Sequence, residues 1–227
     1  MIKNIIFDFG DIFINLDKQG TYKAMAALGV TEITQEMIEV YHQYEKGLMS
    51  TEAFIDFYYK KFGIPKAELV TAWNAVLLDF PSRRLEFLKE LSASKKYRLF
   101  LLSNTNDLHI KSVINSVGVD FFNEFKNCFE QFYLSHEIHF RKPDTNIYEF
   151  VLNENNLVAN ETLFVDDLKE NNANETSILT AEKTLADLQE KKNKLTTKIN
   201  NLKGSYEPDR MIEVIKLAAE KQKTIAN

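Results

Sequence analysis

The sequence holds a single cysteine, Cys128, among its 227 residues. No disulfide can form within the chain, which excludes a disulfide framework and fits a reducing, cytoplasmic setting. Between Asn127 and Phe129 this thiol reads as buried filler rather than as a nucleophile. Long apolar runs are absent too. None approaches the roughly 18 residues of a membrane-spanning helix, so no membrane partner is expected. The chain enters a strand-like run at once, without the basic region, apolar core and cleavage site of a secretory leader. Nor is positive charge in excess: a formal net charge of −5 argues against a nucleic-acid partner bound by phosphate neutralisation. What the chain does have is 44% hydrophobic residues, with 17 Phe and 9 Tyr. Its length suffices for one sizeable core plus a second module.

Three short apolar runs read as strands buried on both faces of a parallel sheet: 2–9, 97–102 ("YRLFLL") and 162–165 ("TLFV"). Each stops at a polar cluster. The first stops at Asp8, the second at "SNTND" (103–107), and the third at Asp166 and Asp167. Polar groups at the C-terminal ends of such strands describe the ligand crevice of an open α/β sheet. Three strand ends are therefore expected to converge on one site.

Residues 17–92 differ in character. "TYKAMAALG", "TQEMIEVYHQYEKG", "STEAFIDFYYKKFG" and "PKAELVTAWNAVLLDF" carry helical spacing. Ser50 or Thr51 followed by Glu52 suits a helix start, and Gly47 and Gly63 suit helix ends. These helices form a module inserted between the first two strands, with Trp73 and the aromatics of 54–62 as its core. Beyond Asp167, residues Ile178, Ala181, Leu185, Leu188, Leu195, Ile199 and Leu202 trace a heptad seam broken by Lys192. Gly204 stops it, and Pro208 opens a second helix with Met211, Val214, Ile215, Ala218 and Ile225 on one face. The result is a helical hairpin over 175–227 with two open uses: docking on the body, or pairing two copies as a homodimer.

An aspartate at a strand end can attack phosphorus and form an aspartyl-phosphate. The transferred group is strongly anionic and needs neutralising partners. A carboxylate-held magnesium ion and a lysine supply charge. Donors at a strand-to-helix turn hold the remaining oxygens. The chain offers Asp8, Ser103 with Asn104, Lys142, and Asp166 with Asp167, in that order.

In this order, "FDFGDIF", "LFLLSNTN", "RKPD" and "LFVDD" resemble the four motifs of the haloacid dehalogenase superfamily of phosphohydrolases, over residues 1 to about 170. "YHQYEKGLMSTEAF", "LSNTNDLH" and "FYLSHEIHFRKPDTNIYEFVL" resemble its glucose-1-phosphatase-like branch of sugar phosphatases. The resemblance implies a doubly wound, Rossmann-like α/β core (1–16 and 93–174) with a helical cap (17–92). It implies Asp8 as nucleophile and magnesium ligand, and Gly10 as a backbone ligand beside metal and phosphate. Ser103 and Asn104 would bind phosphoryl oxygens, and Lys142 would steady Asp8 and the phosphate. Asp166 would ligate magnesium, and Asp167 would assist through its water shell. The implied activity is magnesium-dependent hydrolysis of a small phosphorylated metabolite, a sugar phosphate, through an aspartyl-phosphate.

The sequence also departs from that pattern. Most members place a second aspartate, the general acid and base, two residues after the nucleophile; here Gly10 stands there. Asp11 is read as structural, supporting a positive-φ turn. The haloacid-hydrolysing members also lack the second aspartate, but they work without magnesium and would leave Asp166 and Asp167 little to do. The tail shows no closing strand after "DD". A rival reading is therefore a catalytically weak member acting as a binding or assembly module through its hairpin. In the cap, His42, Tyr44 and Glu45 are equally placed for site, surface or core. The resemblance of "SNTNDLH" allows His109 at the border of the pocket, but a helix-surface position is the one expected, and His136 and His139 lack metal-ligand spacing.

Overall fold

The computed structural model describes residues 1–168 and residue 171. The chain divides into two compact units, of which Ile2–Asp167 is one. The hairpin expected over 175–227, with its docking or pairing roles, lies outside the described residues.

Four parallel strands form the sheet of this unit: β1 (Asn4–Phe7), β2 (Arg98–Ser103), β3 (Gln131–Leu134) and β4 (Thr162–Val165), in the order β3-β2-β1-β4. Phe7 pairs with Leu101 on one side and Val165 on the other. The chain builds outward from β1 to β2 and β3, then returns to lay β4 on the free side of β1. That reversal is a topological switch point, where α/β sheets open a crevice at their C-terminal edge. Two expectations need correction. β3, with the sequence QFYL, was not anticipated; it is a short edge strand with only two buried residues. β4 was expected to be fully buried, yet all four of its residues are half-buried, as befits the other edge of this sheet.

Helices α1 (Gly20–Ala27), α2 (Gln35–Glu45), α3 (Thr51–Phe62), α4 (Lys66–Trp73) and α5 (Ser82–Ala93) separate β1 from β2. α6 (Asp107–Val117) and α7 (Val119–Lys126) follow β2, and α8 (Ser135–Ile138) and α9 (Thr145–Glu154) follow β3. The strand pleat sends alternate side chains to opposite faces. Ile6, Phe100, Leu102 and Tyr133 meet Ile147 and Val151, which are four apart on α9 and so share a face. On the other face Phe7 meets Phe13, ring centroids 5.5 Å apart, and Phe13 meets Phe125 of α7 at 4.9 Å. Phe13 is fully buried and anchors the loop that leaves β1. Truncating it to alanine would cost about 3–5 kcal/mol.

α1 to α4 bury their own cluster, including Met37, Tyr44, Phe54, Tyr58, Leu69 and Trp73, which Leu108 of α6 joins. Trp73, Phe54 and Tyr58 are therefore core, with Phe57 and Phe62 packed against them, whereas Tyr59, expected in that core, is exposed. α3 starts where Ser50 Oγ accepts from Ala53 N–H (3.1 Å) and ends at Gly63, whose φ is +71°. α5 buries Leu85, Phe87 and Leu88 outside that cluster. The turn after α2 abuts α8: a Cβ on Gly47 would stand 1.9 Å from His136 O, and Gly47 has φ +64°. Only glycine allows that approach.

Candidate active site

The sheet register places the carboxylates. Asp8 N–H donates to Val165 O (2.8 Å), which carries the β1–β4 pairing one residue past both strands and sets Asp8 beside Asp166. Lys142 closes the group, its Nζ 2.7 Å from Asp8 Oδ1 and 2.5 Å from Asp166 Oδ2. Lys142 is 1% exposed. A lysine buried so completely needs charged partners, since an unpaired ammonium there would cost many kcal/mol. Burial holds the Asp8 carboxyl above its ordinary value; Lys142 pulls it back and Asp166 pushes it up. Burial, then the charges of Asp166 and Asp8, likewise raise the Tyr148 phenol of α9, which stays protonated.

Asn104 fixes Lys142 through the main chain. Its Nδ2 donates to Lys142 O (2.8 Å), and its Oδ1 accepts from Lys142 N–H (2.8 Å). One Nδ2 hydrogen and the backbone N–H are left over for an anion. Ser103 is 3% exposed at the end of β2, and its hydroxyl makes a long 3.5 Å contact to Asn104 O. The helix that follows is capped not by Ser103 but by Asn106, whose Oδ1 accepts from His109 N–H (3.1 Å). Ser103 therefore takes no part in capping α6.

Asp8, Asp166 and Asp167 each offer a carboxylate oxygen, all within 4.8 Å of one another. An all-oxygen donor set suits a hard cation such as Mg²⁺, so these residues fit the ion that the sequence implies. Gly10 lies in the same loop, and its carbonyl accepts from Ile12 N–H (2.6 Å) with a second lone pair left. A Cβ on Gly10 would stand 2.8 Å from Leu16 Cδ1 and 3.6 Å from Asp8 Oδ2. Leu16 fills the space that a side chain at position 10 would enter.

Asp11 adopts φ +52°, and its Oδ1 accepts from Leu16 N–H (3.0 Å). It is a turn residue, as expected. Lys18, which sequence reasoning missed, reaches Asp167 Oδ2 (2.5 Å) and Asp11 Oδ2 (3.2 Å). His109 is not the surface histidine expected. Its Nε2–H donates to Trp73 O (3.2 Å), and its Nδ1 accepts from Asn106 Nδ2 (3.1 Å). Burial lowers its pKa to about 4, so the ring is neutral at pH 7. Tyr44 and Glu45 are buried. A cleft of about 670 Å³ lies at the opposite edge of the sheet, where Lys3 pairs with Glu161 and Arg98 with Glu130. It holds none of the predicted site residues.

The haloacid dehalogenase-like hydrolase model matches residues 2–171. The chain belongs to this family. The hydrolase is 29% identical over 179 residues to the D-ribitol-5-phosphate phosphatase of Bacteroides thetaiotaomicron, covering 74% of this chain and 84% of that one. It also resembles a HAD family enzyme of Bacteroides thetaiotaomicron solved with magnesium and inorganic phosphate, at 31% identity and a TM-score of 0.63. That match covers 75% of this chain and 87% of the other. A Porphyromonas gingivalis protein, described as a predicted HAD-like family hydrolase, matches at 26% identity with a TM-score of 0.64, over 76% of this chain and 85% of that chain. No helix among the described residues is long and apolar enough to cross a membrane.

Proposed function

We propose that this hydrolase is a magnesium-dependent phosphatase acting on a small phosphorylated sugar or polyol. The observation that carries the reading is the buried Lys142 ammonium shared by Asp8 and Asp166 at the switch point of the sheet. Asp8 attacks phosphorus, the bond from phosphorus to the alcohol oxygen breaks, and an aspartyl-phosphate forms. Water then attacks phosphorus, releasing phosphate and restoring the Asp8 carboxylate. Lys142 offsets the charge of nucleophile and phosphoryl group together. Ser103 Oγ, the spare Asn104 Nδ2 hydrogen and neighbouring backbone N–H groups hold phosphoryl oxygens. Asp8, Asp166, Asp167 and the Gly10 carbonyl would hold magnesium, which when bound would supply further positive charge at the phosphoryl group. α1 to α4 act as the cap that selects the rest of the substrate. The similarity to the D-ribitol-5-phosphate phosphatase supports the substrate class, and the similarity to the HAD family enzyme solved with magnesium and phosphate supports the ion.

A panel of sugar and polyol phosphates, assayed for phosphate release with Mg²⁺ and with a chelator, tests the reading. Magnesium-dependent turnover concentrated on one or a few polyol or sugar phosphates is expected. Release that ignores chelator, or no release from any member, would contradict it.

A further inference from the structure

One buried carboxylate has no part in that chemistry. Glu45, at the C-terminal end of α2, is 4% exposed and belongs to the inserted helices, not to the sheet. Its Oε1 accepts from Tyr41 OH (2.6 Å) and its Oε2 from Arg141 Nε (2.8 Å). Arg141 immediately precedes Lys142. Burial, and then the charge of Glu45, hold the Tyr41 phenol well above its ordinary range, so the donor in this chain is fixed.

The backbone of Glu45 reaches the other phosphate-binding loop. Ser135, fully buried, donates its hydroxyl to Glu45 O (2.7 Å) and accepts from Thr105 N–H (2.9 Å). Thr105 follows Asn104, whose carboxamide clamps the main chain of Lys142. The next residue of α2's end continues the grip. Lys46 Nζ lies 3.1 Å from Asp144 Oδ2, and Lys46 O accepts from His139 Nδ1 (2.8 Å). Consecutive residues Glu45 and Lys46 thus pair with Arg141 and Asp144, which straddle Lys142 and Pro143.

These contacts differ in weight. Lys46 and Asp144 are substantially exposed, and such pairs contribute little. Glu45 and Arg141 are 5% and 18% exposed at their side chains. A buried ion pair is weak evidence for stability, since an apolar pair could join the two elements as well. What an ion pair with a two-sided hydrogen-bond pattern adds is a single geometry. We infer that Glu45 is a positioning residue: through Arg141 and Ser135 it sets where the Lys142 ammonium stands relative to Asp8. The seating of the inserted helices is thereby coupled to the readiness of the site. This inference rests on the phosphatase reading for its kinetic consequence, but not for its geometric one.

The test compares the native chain with Glu45→Gln, Tyr41→Phe and Arg141→Lys, using an aryl phosphate with Mg²⁺, and follows the Lys142 side-chain ammonium by nitrogen-15 NMR. Glu45→Gln is expected to lower kcat about tenfold to a hundredfold, the scale of a small misplacement, with KM within about twofold. The Lys142 signal should shift or broaden. Tyr41→Phe keeps the ion pair and should show the same changes to a smaller degree, so it decides the matter if Glu45→Gln does not fold. Arg141→Lys keeps the charge but not the planar fork and should lower kcat less than Glu45→Gln does. A folded Glu45→Gln chain with native kcat and an unmoved Lys142 signal would overturn the inference. If the native chain shows no magnesium-dependent turnover of the aryl phosphate or of any member of the sugar and polyol phosphate panel, the phosphatase reading fails, and the Lys142 signal alone decides the positioning role.

Discussion

Lys142 Nζ stands 2.7 Å from Asp8 Oδ1, with both side chains nearly excluded from water. The pair sits beside a third charge, Asp166, so ionising Asp8 works against burial and a like neighbour. Its folded-state pKa is raised, and the sign follows from linkage: the stability Asp8 contributes is fully present below the ordinary carboxylate range and is lost as pH rises through the raised value. Asp8→Asn removes that cost. In the presence of chelator the variant is expected to unfold at higher urea concentration than the native chain at pH 7. The gap should close below about pH 4, where Asp8 is protonated in both folded and unfolded states. Urea midpoints across pH measure this, and an Asp8→Asn chain less stable than native at pH 7 would refute it.

The Asn104 clamp makes a second prediction. Asn104→Ala leaves the Lys142 N–H and C=O without these partners, at a cost of about 1–3 kcal/mol in stability. Because the clamp holds the main chain that carries Lys142, kcat should fall by about tenfold or more. A urea titration and a rate measurement on the same preparation check both. Native kcat in a destabilised chain would separate the clamp from catalysis.

His109 predicts a pH dependence away from the carboxylates. Its folded-state pKa is lowered to about 4 against an ordinary 6.5, so the unfolded chain takes up its proton first on acidification. The stability His109 contributes is present above pH 6.5 and drains away as pH falls toward 4. Between pH 7 and pH 5 this amounts to about 1–2 kcal/mol. His109→Gln should lack this part of the pH dependence, which paired urea titrations at the two pH values resolve.

Gly10 and Leu16 shape the leaving-group preference. No carboxyl side chain stands at position 10, and Asp11 is held by Leu16 N–H and Lys18. The loop therefore offers no acid to protonate a departing alkoxide. Across a series of aryl phosphates, kcat/KM should fall steeply as the leaving phenol becomes less acidic. A flat series would reveal another proton donor at work.

How much of this was legible beforehand depended on chain length and local pattern. β1, β2 and β4 announce themselves as apolar runs ending in polar residues, and the switch-point site follows from those ends. β3 does not. Its four residues, QFYL, sit in an aromatic-rich stretch where Phe and Tyr serve helices and strand alike. The site residues Asp8, Lys142, Asp166 and Asp167 are brought together as the motifs imply: the three carboxylates follow the ends of β1 and β4, and Lys142 reaches them from the loop between α8 and α9. The sequence leaves Glu45 open between site, surface and core, since a glutamate near a helix end is usually a solvated one. Nothing local shows that Arg141, 96 residues away, will meet it. His109 was misjudged for the same reason: its partner Trp73 O belongs to a different helix.

On this reading Asp8, with magnesium and Lys142, hydrolyses phosphate esters. Hydrolysis of a generic aryl phosphate by the native chain and by Asp8→Asn, each with Mg²⁺ and with chelator, tests it most directly. Turnover is expected from the native chain with Mg²⁺ alone, and none above background in the other three conditions. Equal turnover by Asp8→Asn, or native turnover that persists in chelator, would contradict it.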